Sequence, residues 1–244
     1  MDKKTVIITG AAKGIGKAIA QRMVIDNYMA ILVDVDEKNG TSLAHDLGTY
    51  AKFIACDIRK EKEVELLFKT ILNEYKSIDV VVNNAGIISD NVIWKMPVED
   101  FDKVIEVNLK GTWLMCKAAG TVMREQKRGR IINIASRAWL GNIGQSNYSA
   151  SKAGVIGLTR VLALELGKYG VLVNAIAPGL IDTPLTQKLP KDILEELIHA
   201  QPTKAMGRPE DIANTVSFLS DENTNFITGQ TIYVDGGKSI GAGV

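Results

Sequence analysis

Short runs of consecutive apolar residues alternate along this chain with longer stretches in which apolar positions recur every three or four residues. The runs are Thr5–Thr9, Ala30–Asp34, Lys52–Cys56, Val80–Asn83, Arg130–Ala135, Val171–Ile176 and Thr231–Val234. Several are unbroken Val, Ile and Leu, the pattern of strands covered on both faces. Helical periodicity fills the gaps at Gly14–Asp26, Glu37–Asp46, Glu61–Tyr75, Val98–Gln126, Tyr148–Lys168 and Pro209–Leu219. Such alternation predicts an α/β protein, a doubly wound parallel sheet of seven strands with helices on both faces. No linker, repeat or low-complexity tract interrupts it, so residues 1–244 read as a single domain. Leu180–Thr203 departs from the pattern, with Pro184, Pro190 and Pro202 around a short helix-like core, and is a candidate substrate lid.

Composition removes several function classes. The chain has 29 basic and 28 acidic side chains, a net charge of +1 without the basic excess of a nucleic-acid binder. Cys56 and Cys116 match no redox or ligand spacing and read as small buried hydrophobes, and His45 and His199 read as surface residues. No metal site is expected. The apolar run near the N-terminus is too short for a signal-peptide core, and no stretch approaches a membrane span. A cytoplasmic protein without membrane or nucleic-acid partners is the expectation.

Chemistry enters at the first strand, which runs into Thr9-Gly10-Ala11-Ala12-Lys13-Gly14-Ile15-Gly16 and then a helical pattern. Glycines permit a tight turn and close backbone approach to a pyrophosphate, which helix N-terminal amides and the dipole favour. Asp34 ends the next strand, eighteen residues after Gly16, about where a ribose-binding carboxylate is expected. It would repel a 2′-phosphate by roughly 3 kcal/mol at 5 Å and an effective dielectric near 20. Lys13 opposes this only in part, so NAD is expected over NADP. At the other end, Tyr148 and Lys152 stand four apart on one helix face. A neighbouring ammonium is expected to lower the phenol pKa, while Ser136, at a strand end, can hydrogen-bond a substrate oxygen.

These pieces, with Asn83-Asn84-Ala85-Gly86, Asn108, Tyr148-Ser149-Ala150-Ser151-Lys152, Pro178-Gly179 and Asp235-Gly236-Gly237, make the chain resemble the short-chain dehydrogenase/reductase family along essentially its whole length. It looks most like the bacterial 3-oxoacyl-carrier-protein reductase-like members. The resemblance implies a Rossmann fold and assigns Tyr148 as proton donor or acceptor, Lys152 as a nicotinamide-ribose contact and Ser136 as substrate orienter. It makes Asn108 part of a water-linked proton path. It also implies cofactor contacts at Gly10, Lys13, Gly14, Ile15, Gly16, Asp34, Asp57, Ile58, Asn84, Ala85, Gly86, Pro178, Gly179, Ile181 and Thr183.

Trp94 and Trp139, with Leu140, Ile143 and Gln145, suggest a mostly apolar substrate pocket. Arg137 could bind a carboxylate, although an outward position is the plainer expectation. The basic cluster Arg124, Lys127, Arg128 and Arg130 would dock an acidic carrier protein under the resemblance, but reads more simply as a solvated face. The Tyr148 helix is apolar nearly all round, which points to a subunit interface and a homotetramer. The leading expectation is an NAD-dependent dehydrogenase or carbonyl reductase of small, mostly apolar secondary alcohols or ketones. The alternatives are an NADPH-dependent 3-oxoacyl-carrier-protein reductase of fatty-acid synthesis and a dinucleotide sensor without turnover.

Overall fold

The computed structural model describes residues 3–240, so the first two and last four residues of the expected domain lie outside the described residues. Seven parallel strands form one sheet: β1 (Thr5–Thr9), β2 (Met29–Asp34), β3 (Ala51–Ala55), β4 (Val80–Asn83), β5 (Gly129–Ile134), β6 (Val171–Pro178) and β7 (Thr231–Val234). Their spatial order is β3-β2-β1-β4-β5-β6-β7. The helices are α1 (Gly14–Ile25), α2 (Glu37–Leu47), α3 (Glu61–Tyr75), α4 (Val98–Ile105), α5 (Thr112–Gln126), α6 (Ser146–Leu166), α7 (Lys191–His199) and α8 (Pro209–Ser220). This is the single-domain doubly wound Rossmann fold expected from the alternation.

Strand alternation divides the core into two layers. Val6, Ile8, Leu32, Val82 and Ile132 face one side with residues of α1 and α8. Ile7, Ile31, Val33, Val81 and Ile131 face the other with residues of α3 and α5. All ten side chains are buried, which is why these strands are continuous apolar runs. Cys56 and Cys116 are buried free thiols, and burial pushes them up to about 11 and about 12, far from thiolate chemistry at neutral pH.

One predicted helix is two. Val98–Gln126 divides where Glu106–Gly111 widens into a π turn between α4 and α5. Asn108, inside that turn, turns its amide onto the backbone of Ile87, accepting its N–H at 2.8 Å and donating to its carbonyl at 3.0 Å. Gly111 stands where a Cβ would meet Ile58 at 2.7 Å, so only glycine fits without a shift of that side chain. The Leu180–Thr203 segment holds a short turn, Thr186–Lys188, and α7, in which no residue is buried. It is pinned at its start, where Asp182 N–H donates to Gly207 C=O and Gly207 N–H to Leu180 C=O.

Candidate active site

The strand order reverses between β1 and β4, the place where open α/β sheets bind ligands at their carboxyl edge. Here the two strand ends are stitched together. Thr9 Oγ1 accepts the N–H groups of Asn84 and Ala85, each at 3.0 Å, and Asn84 Nδ2 donates to the carbonyls of Thr9 and Gly10. Gly10 has φ +63°, and a Cβ there would lie 2.8 Å from Ala85 Cα; at Gly16 it would lie 2.1 Å from the Gly10 carbonyl oxygen. The glycines therefore answer to the chain's own close packing. What remains open is the start of α1, whose N-cap, Lys13, offers no side-chain acceptor to the free N–H groups. Gly14, at φ +57°, faces Thr183, whose Cγ2 would lie 3.8 Å from a Cβ placed there. An uncapped helix N-terminus between a glycine turn and a threonine fits a pyrophosphate.

Asp34 does not stand free to read a ribose. Its two oxygens accept the N–H groups of Ala12 and Asp36, each at 3.0 Å, so it braces the glycine turn. Lys13, exposed, lies 3.8 Å from Asp36 instead. Asp57 is similarly engaged, in an ion pair with Arg59 at 2.7 Å that holds its carboxyl below the usual range. Ile58 is buried, Ile15 half-buried, and Ile181 buried within the core. Pro178 ends β6, and Gly179 packs so closely on Asp235 that a Cβ would meet its Cα at 2.7 Å.

The second cluster lies at the end of β5. Lys152, buried on α6, donates to the carbonyl of Ile134 at 2.8 Å. Ser136, two residues further on, caps the turn Arg137–Leu140 by accepting Ala138 N–H at 3.1 Å. Tyr148 is half-buried, and the Ser136 side chain is near enough to favour its ionised form. Gly86 brings the β4 loop against this group, for a Cβ on it would lie 3.4 Å from Asn108 Oδ1 and 3.5 Å from Lys152 Nζ. Asn108 also reaches Ser151 Oγ at 3.1 Å, and that hydroxyl donates to the Tyr148 carbonyl at 2.7 Å. Ser151 thus links Asn108 to the helix carrying Tyr148. Its position one turn after Tyr148, on the same helix face, was the signal for it.

The electrostatics differ from the expectation that Lys152 lowers the phenol. Burial pushes Tyr148 above its ordinary value; Ser136 works against this, and Asp90 adds to it. Lys152 itself falls to about 8 because burial disfavours its charge. Its Nζ lies 5.6 Å from the Tyr148 ring centre and is turned to Ile134. The cluster is thus a protonated phenol beside a lysine whose charge burial has made easier to lose, in a dry setting.

On the substrate side, Trp94 is exposed on a one-turn helix, Ile93–Lys95, and Asn91 N–H ties its loop to Gly144 at 2.8 Å. Trp139 is half-buried, its indole N–H donating to the Tyr233 hydroxyl at 2.8 Å. A cavity of about 550 Å³ opens beside it, between Leu140 and Tyr233–Ile240. Two members of the basic cluster have partners. Arg128 pairs with Asp79 at 3.3 Å, and Arg130 bonds to Asn225 at 2.9 Å. Among the described residues no group of His, Cys, Asp or Glu could hold a metal, and no helix is long and apolar enough to cross a membrane.

The chain belongs to the short-chain dehydrogenase/reductase family. Residues 10–239 match the family model described as enoyl-(acyl carrier protein) reductase. The chain is 42% identical to the (2S)-[(R)-hydroxy(phenyl)methyl]succinyl-CoA dehydrogenase subunit BbsD of Thauera aromatica, over 100% of this chain and 99% of that one. It is 43% identical to a 3-oxoacyl-[acyl-carrier-protein] reductase of Synechocystis, over 96% of each. Levodione reductase superposes with a TM-score of 0.94 at 33% identity, covering 98% of both chains. The protein is accordingly an NAD(P)-dependent oxidoreductase of carbonyl-reductase and alcohol-dehydrogenase character. The expected preference for NAD is overturned by these relatives, since 3-oxoacyl-carrier-protein reductases are the class for which the family resemblance implies NADPH. At Asp34 each oxygen already accepts one backbone N–H, from Ala12 and from Asp36, while Lys13 stands exposed nearby as a cation.

Proposed function

We propose that this protein interconverts 3-oxoacyl and 3-hydroxyacyl groups carried as thioesters. Two kinds of relative, from Thauera and Synechocystis, are named for oxygen-bearing acyl groups held by coenzyme A or acyl carrier protein. The observation that carries the reading is the convergence of Ser136, Tyr148 and Lys152 at the end of β5, beside the switch point. A nicotinamide dinucleotide, when bound, would supply or accept the hydride. The uncapped start of α1, Asn84–Gly86, Pro178-Gly179 and Thr183 are the residues that would hold it.

Ser136 orients the substrate oxygen with its hydroxyl. Tyr148 gives that oxygen a proton in reduction and takes it back in oxidation, so the carbonyl becomes a secondary alcohol with charge balanced. Burial raises the phenol, which keeps it protonated until the substrate oxygen gains charge in reduction. Lys152 stands next to it as the group whose charge is most easily gained or lost at neutral pH. Asn108, held by Ile87 and Ser151, positions the helix face that carries both.

Exposed Val161 and Leu164 on α6 and Trp113 on α5 support assembly through these helices, with a homotetramer as the expected form. Light scattering returning a monomer at working concentrations contradicts that assembly. The activity is tested by initial rates that cross NAD(H) and NADP(H) with 3-oxoacyl thioesters, simple ketones and secondary alcohols. Turnover concentrated on the thioesters is expected. Preference for simple alcohols, or dinucleotide binding without any turnover, overturns the reading.

A further inference from the structure

We infer that Asp90 is a positioning residue: through Gln145 it fixes where α6 begins, and so sets Tyr148 against the substrate oxygen. This rests on Tyr148 as the proton donor and acceptor of the reading above, and deepens that reading. Residues 87–91, after β4, lie across the start of α6 as a strap bound at Ile87, Ser89, Asp90 and Asn91. Asn108 bonds to both backbone groups of Ile87, and Asn147 Nδ2 donates to the Ser89 carbonyl at 2.8 Å. Asn91 N–H donates to the Gly144 carbonyl at 2.8 Å. Between these links, Gln145 Nε2 donates to both carboxylate oxygens of Asp90, at 3.0 and 3.1 Å.

The other links end on backbone atoms of the strap or of its partner loop, which any residue offers. The Asp90 link joins two side chains, so both identities matter, and a bond to an ionised acceptor is the stronger kind. Gln145 is the N-cap residue of α6, yet its side chain caps nothing there. It is buried, and its Oε1 accepts Asn142 Nδ2 at 3.0 Å, which leaves the amide one orientation and aims its N–H at Asp90. Tyr148 follows within the first turn of the helix. Asp90 itself is exposed, so replacing it leaves the core intact. Charge points the same way. The elements packed against α6 near its start carry Glu99, Asp100, Asp102 and Lys103 on α4, Glu106 and Lys110 on the π turn, and Arg137 on the turn that Ser136 caps; Lys152 is on α6 itself. Of these groups and Asp90, only Asp90 acts on Tyr148 through its charge, in the sense that keeps the phenol protonated.

The test compares the full wild-type chain with Asp90→Asn, Gln145→Glu and the double exchange of both, using a 3-oxoacyl thioester and saturating dinucleotide. The double exchange again sets an amide against a carboxylate, with the roles reversed, and keeps an acceptor for Asn142. In Asp90→Asn kcat should fall by about 10-fold, and in Gln145→Glu, where two carboxylates meet, by about 100-fold, with the dinucleotide KM unchanged. The double exchange should return to within about threefold of wild type. Equal kcat in all forms, or a double exchange no better than the worse single variant, overturns the inference. If no thioester turns over, the thioester reading fails by itself. Absorbance titration of the Tyr148 phenol, taken as the difference from the same form carrying Tyr148→Phe, then decides on Asp90. Ionisation that begins at lower pH in Asp90→Asn and moves back in the double exchange upholds the role, whereas an unmoved onset removes it.

Discussion

The two ends of the site are built by different means. The dinucleotide end is closed on itself: Thr9, Asn84 and Asp34 spend their polar atoms on neighbouring backbone, and Gly10 and Gly16 have no room for a Cβ. The substrate end leaves groups uncommitted. Leu185, Leu189, Ile193 and Leu197 of the candidate lid segment are exposed. The first end is preorganised by backbone, so it can serve any chain that binds the same cofactor. The second is defined by a few side chains, which is where relatives with different substrates can diverge.

The contrast would be sharpened most by Tyr148→Phe. Turnover should fall at least about 10³-fold with dinucleotide affinity nearly unchanged, as judged by single-turnover rates and fluorescence titration. A parallel loss of affinity would mean that the two ends are not separable. Next in size is Gly16→Ala, whose Cβ collides with the Gly10 carbonyl. Dinucleotide binding should disappear, with stability lower by about 1–3 kcal/mol in urea titrations. Normal binding in this variant would show that the turn is softer than its packing implies.

Lys152 gives a smaller, pH-dependent effect. Its folded value is about 8 against 10.5 when free. Between those values the unfolded chain carries a proton that the folded chain lacks, so stability rises with pH through that window and is lowest below it. Lys152→Met should flatten the profile and stabilise the protein at pH 7 by about 1–3 kcal/mol, while reducing turnover. A variant less stable than wild type at pH 7 contradicts this. The smallest effect belongs to the candidate lid: Leu189→Ser with Ile193→Ser should change stability by less than about 0.5 kcal/mol. KM for the thioester should nevertheless rise, and an unaltered KM would argue against a lid.

Most of the fold was legible because β1, β4 and β7 are set off by clear turns, and their boundaries match the apolar runs. The candidate site residues were legible as a set, since strand ends and one helix face bring them together. Pairing was not. Whether Asp34 reads a ligand or braces a turn depends on N–H groups of Ala12 and Asp36, which any residues would supply. The sign of the Tyr148 shift depends on burial, and Lys152 turns to Ile134 rather than to the phenol. The helical period runs unbroken through Val98–Gln126, so nothing in it marked the π turn.

That turn carries a consequence for chain length. A π turn holds one residue more than a regular helix needs, so Asn108 sits on a one-residue surplus between α4 and α5. Deleting one residue from Glu106–Gly111 would join the two helices into one even cylinder. The flanking helices would keep their register, because the surplus is taken up inside the turn, but Asn108 would lose the bulge that sets its place. The amide would swing off Ile87 although no site residue had been replaced. In this stretch insertions and deletions are more dangerous than substitutions, because spacing, not side-chain identity, aims Asn108.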